Sequence, residues 1–290
     1  MKAPLAFTGS RIDRADHVRA DPDRLAGMMG WRARLLALDG LMPGMDDAGA
    51  LAWTSLADAP QDAELVFLGL DEDRPCFACV PPQGDSAPRM ANPALWAAMA
   101  ALSPGDLAVY GGARSLVDWH ARHRFCAQCG GATEIAKGGW QRNCTQCGAQ
   151  HFPRTDPVTI MLVEHEDRLM LGRGLGWGEG RFSALAGFVE PGESIEEAVA
   201  REVLEESGVT VRDVTYVASQ PWPFPSQLMI GCHAFADDDA VTMDETELAE
   251  LRWFTRDEVK AALAGGPDAP FAKPPREAIA THLLTWWSAK

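Results

Sequence analysis

The chain has 290 residues, 47% hydrophobic and 23% charged, with a formal net charge of −15, the make-up of an ordinary globular protein with room for about two cores. No run approaches the ~20 apolar residues of a membrane span, and the opening MKAPLAFTGSRIDRADHVRA lacks an apolar signal core, so the expectation is a cytoplasmic protein without membrane attachment. The acidity argues against indiscriminate nucleic-acid binding, which needs a basic footprint, although an RNA end accompanied by metal ions is not excluded.

Residues 31–38 and 64–70 read as strands, and 74–80 is expected to pair with the latter across Asp71-Glu72-Asp73. Pro81, Pro82, Gly84 and Pro88 mark a loop. Asn92-Pro93 predicts a helix to Leu102, and Ser103-Pro104 a second to Arg122. No catalytic motif falls within these first residues.

The seven cysteines are an odd number in a chain with no secretory signal, which favours metal binding over disulfides. Cys126-Ala-Gln-Cys129-Gly and Cys144-Thr-Gln-Cys147-Gly are two C-x2-C knuckles separated by 14 residues. Four thiolates in tetrahedral array select Zn²⁺ and leave no open position, so one structural zinc per chain is expected. Too few residues surround it for a core, and the metal should supply much of the folding energy. Cys76-Phe-Ala-Cys79 has the same spacing but lies in a strand-like run without glycine, where residues three apart face opposite ways. Buried thiols are expected there, and at Cys232 in a later strand.

After Pro153-Arg154-Thr155-Asp156-Pro157, the apolar run 158–163 reads as a buried strand and 168–171 as its hairpin partner. Gly172, Gly174, Gly176, Gly178 and Gly180 do not fit G-x-G-x-x-G and read as a flexible rim. Then comes GFVEPGESIEEAVAREVLEESGV, from Gly187 to Val209, with seven Glu and one Arg. Ser194 and Glu197 make an S-x-x-E capping box and Gly208 a stop, so a helix is expected over Ile195–Ser207. Glu202, Glu205 and Glu206 share one arc of that helix. Glu202 and Glu206 are like charges at i, i+4, an arrangement costing a few tenths of a kcal/mol unless a cation binds between them. Downstream, 214–219, 228–236 and 250–254 read as strands. Thr255 to Glu258 opens a further helix stopping at Gly265-Gly266, and a last helix is expected from about Arg276 onward.

The frame Gly187-x5-Glu193-x7-Arg201-Glu202-Val203-x-Glu205-Glu206-x-Gly208-Val209 resembles the signature of the Nudix hydrolases at every defined position. Ten residues on, Ser219-Gln-Pro-Trp-Pro-Phe-Pro225 is similar to the array of the NADH pyrophosphatase branch of that family. The resemblance implies an α+β protein: a Nudix α/β/α sandwich with a mixed sheet over 153–290, preceded by a four-Cys zinc ribbon over 123–152 and an N-terminal α/β, Nudix-like domain over 1–122. It further implies that Mg²⁺ or Mn²⁺ is held by the Ala186 carbonyl with Glu202, Glu206 and Glu247. Glu205 or Glu206 would accept the proton of an attacking water, with Arg201 orienting a neighbouring Glu. Substrate contacts would fall on Gln220, Pro221, Trp222, Pro223, Phe224, Pro225, Ser226 and Gln227, with Phe152 and Ala280. Trp222 and Phe224, alternating with stiffening prolines, would wall a flat ring by stacking; the alternative is a proline-rich turn packing its aromatics into a core.

Two departures stand out. Ser226-Gln227 replaces the usual continuation of the array, and Phe152 replaces a tyrosine, losing a hydroxyl. The activity implied is hydrolysis of NAD(H) to NMN(H) and AMP, and removal of NAD caps from RNA 5′ ends, by a homodimer. A diphosphatase for ADP-ribose or diadenosine compounds, or a non-catalytic zinc-ribbon nucleotide sensor, are the alternatives.

Overall fold

The structure is a computed structural model describing residues 5–85 and 92–290; of the expected loop markers, Pro88 lies outside them. The chain forms two compact units, Met1–Thr155 with Pro221–Gln227, and Asp156–Gln220 with Leu228–Lys290.

In the first unit a four-stranded sheet has the order Trp53–Ser55, Arg34–Leu36, Arg74–Cys79, Leu65–Asp71. Arg34–Leu36 is antiparallel to Trp53–Ser55 and parallel to Arg74–Cys79, so the sheet is mixed. The hairpin Leu65–Asp71/Arg74–Cys79 closes through Glu72 and Asp73, both at positive φ (48° and 63°), as a twist-matching two-residue turn requires. The strand expected at 31–38 is broken. Ala33 N–H closes a turn on the Gly30 carbonyl, and Leu38–Asp39 leaves to pair with Met42–Pro43.

Helices Pro93–Ala101 and Pro104–Arg122 begin as expected, capped by Asn92 and Ser103, whose side chains accept from the Leu95 and Asp106 amides. Their apolar residues, among them Met99, Tyr110 and Val117, bury against Val66, Leu68 and Ala78. The alternate residues Phe67 and Phe77 pack on the opposite face with Val18 and Leu35. Cys76 falls in the first cluster and Cys79 against the second, both free thiols pushed up in pKa by burial.

The ribbon is a three-stranded sheet of Thr133–Ala136, Gln141–Cys144 and Gln150–His151. Arg142 ties it to the rest of this unit. Only 2% exposed, its guanidinium donates to Glu64 Oε1 (2.9 Å), to Thr133 Oγ1 and O (2.7 Å each) and to His120 Nδ1 (3.0 Å). His120 must therefore carry its proton on Nε2, which donates to the Gly139 carbonyl at 2.6 Å. Burial holds this imidazole down to about 4, so it is neutral.

The second unit has a six-stranded sheet in the order Val211–Trp222, Gln227–Ala236, Asp156–His165, Arg168–Gly174, Leu248–Thr255, with Leu185–Phe188 pairing Asp156–His165. Its apolar run 158–163 supplies both faces. Met161 and Val163 pack with Val199 and Val203 of the helix Ile195–Ser207. On the reverse face Glu164 accepts from Trp287 Nε1 (2.6 Å) and His233 Nε2 (2.7 Å), binding the helix Ile279–Ser288 to the sheet. The result is helix, sheet, helix. The helix Arg256–Ala264 has the expected capping box at Thr255 and Glu258. The last helix starts at Ile279, three residues after Arg276, because Pro274 and Pro275 present carbonyls to Thr281 Oγ1 ahead of it. Among the described residues no helix is long and apolar enough to cross a membrane.

Candidate functional site

The helix Ile195–Ser207 forms with the expected ends. Ser194 Oγ accepts from the Glu197 amide (3.2 Å), Glu197 Oε2 accepts from the Ser194 amide (2.7 Å), and Gly208 stops the helix at φ 71°. Arg201 on this helix uses all five N–H groups. Nε and Nη2 grip Glu193 (2.5 and 2.9 Å), Nη1 reaches Glu202 and Glu205 (2.9 Å each), and Nη2 also donates to the Phe188 carbonyl (2.9 Å). It has no donor left for a ligand, so it positions carboxylates. The fork and the Glu190 amide hold Glu193 down to about 2. Gly187 is required by the opposite wall: a Cβ there would lie 1.9–2.1 Å from the Glu202 carboxylate. Ala186, whose carbonyl the resemblance assigns to a cation, is the adjacent residue on the strand Leu185–Phe188.

Glu206 is the anomaly. It is 7% exposed, and its Oε2 has no hydrogen-bond partner among the described residues. Burial first, then the charges of Glu202, Glu247, Asp244 and Glu205, push its carboxyl up to about 8. Glu202 is also raised, by burial working against Arg201. An unpartnered buried carboxylate among further acids is costly in the absence of a cation, and hard oxygen donors of this kind suit Mg²⁺ or Mn²⁺. Glu247 is exposed, at the end of a turn in which its amide donates to the Asp244 carbonyl (3.3 Å). Asp244 was not singled out in the sequence because nothing separates it there from its acidic neighbours; its amide bonds the Glu206 carbonyl at 3.1 Å.

The four ribbon sulfurs lie within 4.8 Å of one another, with Cys126–Cys147 at 3.7 Å and Cys129–Cys144 at 3.4 Å. A tetrahedral zinc with Zn–S ~2.3 Å needs S···S distances of roughly 3.8 Å. Amides of Cys147 and Gln146 hold the Cys144 thiol down to about 6, while Cys129, sharing its proton with Cys144, is pushed up to about 12. Among the described residues these four thiols are the group whose ligand atoms gather this closely.

Three family descriptions match in sequence order: an NADH pyrophosphatase-like rudimentary NUDIX domain over 28–119, the NADH pyrophosphatase zinc ribbon over 121–152, and the NUDIX domain over 153–274. The NAD-capped RNA hydrolase NudC of Mycobacterium tuberculosis is 39% identical over 310 aligned positions, covering 96% of this chain and 92% of the relative. The chain belongs to the NADH pyrophosphatase branch of the Nudix hydrolases. The human NAD-capped RNA hydrolase NUDT12 is 41% identical over 88% of this chain, which spans about half (54%) of that longer relative. A NUDIX hydrolase structure from Nitrosomonas europaea aligns over 46% of this chain and 78% of its own, at 26% identity and TM-score 0.41.

The Nudix array does not present the expected open wall. Phe224 is 2% exposed, packed in the core of the first unit with Trp96 inclined at 28° to it (centroids 6.4 Å apart) and the Arg114 guanidinium over its ring at 5.0 Å. Trp222, half-buried, meets Phe7, Trp96 and Phe224 at 5.9, 6.0 and 5.1 Å. The stacking-wall expectation is corrected for Phe224, whose faces are covered by its own chain. Arg114 Nε donates to the Pro223 carbonyl (3.1 Å), its Nη2 pairs with Asp85, and Ser115 Oγ donates to the Pro225 carbonyl (3.2 Å). Pro223 and Ser226 are buried, Pro221 exposed, and Pro225 and Gln227 intermediate. Gln220, 1% exposed, donates to the Glu277 carbonyl (2.9 Å), three residues before the buried Ala280. Phe152 is open, at 59% exposure.

Proposed function

We propose that this chain hydrolyses the diphosphate bond of NAD(H), giving NMN(H) and AMP, and removes NAD caps from RNA 5′ ends, leaving a 5′-monophosphate. The observation that carries the reading is the buried, unpartnered Glu206 carboxylate beside Glu202 and Glu247 in an intact Nudix signature. A sensor that only bound nucleotide would gain nothing by retaining that electrostatic cost.

Glu202, Glu206, Glu247 and the Ala186 carbonyl would hold Mg²⁺ or Mn²⁺, which when bound neutralises the diphosphate and acidifies a water. Glu205 or Glu206 would take the proton of the attacking water; Glu205, 58% exposed and tied to Arg201 through one oxygen, is the candidate this reading favours. Arg201 fixes Glu202 and Glu205 relative to each other through one nitrogen. Zinc in the four-Cys ribbon is structural in this reading, since all four positions are filled by thiolates. Phe152, Ala280 and the residues Gln220 to Gln227 are assigned substrate contact by family resemblance, with Phe224 shaping the segment from within. The working form is proposed to be a homodimer.

A turnover panel of NADH, NAD⁺, NAD-capped RNA and ADP-ribose with Mg²⁺ or Mn²⁺ and product identification is the test. The expected products are NMN(H) with AMP, or NMN with 5′-monophosphate RNA. Preferential cleavage of ADP-ribose would move the chain to a different dinucleotide, and no cleavage of any would refute the reading.

A further inference from the structure

The glycine-rich stretch after strand Arg168–Gly174 is more ordered than a rim. Trp177 N–H donates to the Gly174 carbonyl (3.2 Å), turning the chain back so that the indole lies on Gly174, 3.4–3.5 Å from where a Cβ would stand. Arg173 Nη1 donates to the Trp177 carbonyl (3.4 Å), and the Arg181 guanidinium sits 5.6 Å from the ring centroid. Yet Trp177 keeps 41% of its surface exposed.

Its position is what matters. Gly174 pairs with Leu248, and the next amide, of Leu175, donates to the Glu247 carbonyl at 3.2 Å. Gly172 lies against Leu185 and Leu248, both in the core under the helix Ile195–Ser207, and although the pairing register shifts between Arg173 and Gly174, Gly174 is itself paired with Leu248 of that core. The indole therefore sits on the face that carries Glu202 and Glu206, one strand-end from Glu247. An aromatic ring held from behind and open in front is suited to stack on a planar ring at the diphosphate site proposed above.

We infer that Trp177 stacks on a planar heteroaromatic ring at one end of the dinucleotide and so sets substrate affinity. This rests on the function proposed above. The test uses the full chain, its Trp177→Ala and Trp177→Phe variants, NADH turnover, and calorimetric binding of AMP and of NMN. Trp177→Ala should raise KM for NADH by at least about fivefold, the lower end of a lost stacking contact, with kcat within about twofold. It should weaken AMP or NMN by a similar factor, and Trp177→Phe should restore most of both. Melting temperatures should stay together, because the ring is exposed. Wild-type turnover with Trp177→Ala indistinguishable from it overturns the inference and leaves the proposed function standing. Trp177-dependent mononucleotide binding without dinucleotide cleavage overturns the proposed function and leaves the inference. Neither binding nor cleavage by the wild type overturns both.

Discussion

Glu206→Gln should stabilise the protein at high pH and leave it unchanged, or slightly less stable, at low pH. The Glu206 carboxyl has an ordinary value of 4.5 and is pushed up to about 8 by burial and by Glu202, Glu247, Asp244 and Glu205. Between those values the folded chain holds a proton that the unfolded chain has released, so stability falls as pH rises. At about 1.4 kcal/mol per pH unit, the interval from 4.5 to about 8 corresponds to a loss on the order of 5 kcal/mol, complete above pH 8. Gln cannot ionise, so the variant escapes that loss, less roughly 1–3 kcal/mol if its amide stays unsatisfied where Oε2 stands alone. The net gain at pH 9 is about 2–4 kcal/mol, several degrees in melting temperature; at pH 5 it vanishes.

The assay is paired thermal melts of wild type and variant from pH 5 to 9, in buffer without Mg²⁺ or Mn²⁺ and with ribbon zinc verified by elemental analysis. Added Mn²⁺ should then raise the wild type more than the variant, because a ligand for the folded state alone stabilises by mass action. Turnover by the variant should fall by orders of magnitude. A melting difference that does not change with pH, or near-normal turnover at saturating metal, would refute the reasoning.

Cys126→Ser should lower zinc content by elemental analysis and depress the melting transition of the first unit, since few residues around the ribbon can replace the metal. Gly187→Ala should fold with a nearly wild-type circular dichroism spectrum and melt but lose most activity and divalent-ion affinity, because the new methyl can be accommodated only by displacing the Glu202 carboxylate. Phe224→Ala should cost about 3–5 kcal/mol in denaturant melts and lower activity on every substrate alike, its ring being part of the first unit's core; a selective loss on NADH with unchanged stability would instead make it a contact residue.

Much of the second unit was legible because its signals are local. The helix Ile195–Ser207 begins and ends where a capping box and a glycine put it, without help from distant residues. The zinc ribbon was legible because two knuckles of fixed spacing admit few other readings. The strand Leu185–Phe188 was missed: Ser183-Ala-Leu-Ala-Gly187 has neither alternation nor β-branched residues, and it is a strand because Val158 to Met161 pair with it. The sequence left Phe224 open between wall and core for a related reason. Whether an aromatic between prolines faces a ligand or a core depends on what it meets, and Arg114 and Trp96 lie more than a hundred residues earlier. The Trp177 platform was hidden by its glycines, which read as looseness until the Gly174 turn and the Arg173 and Arg181 contacts were seen.

The signature's acids divide by their partners. Glu197 serves the helix N-terminus, Glu193 is committed to Arg201 and the Glu190 amide, and Glu202 and Glu205 share a single Arg201 nitrogen. One arginine thus spreads its charge over three carboxylates and still leaves Glu206 unpartnered in the least polar position of the five. A chain selected for stability alone would fill that position with an apolar residue or give it a donor. Neither is present, although Val199 and Val203 on the same helix show that apolar residues fit the adjoining core. The deficit of positive charge therefore falls where Glu202, Glu206 and Glu247 bear on each other, and a divalent cation bound there, as proposed, would turn repulsion among them into ligation.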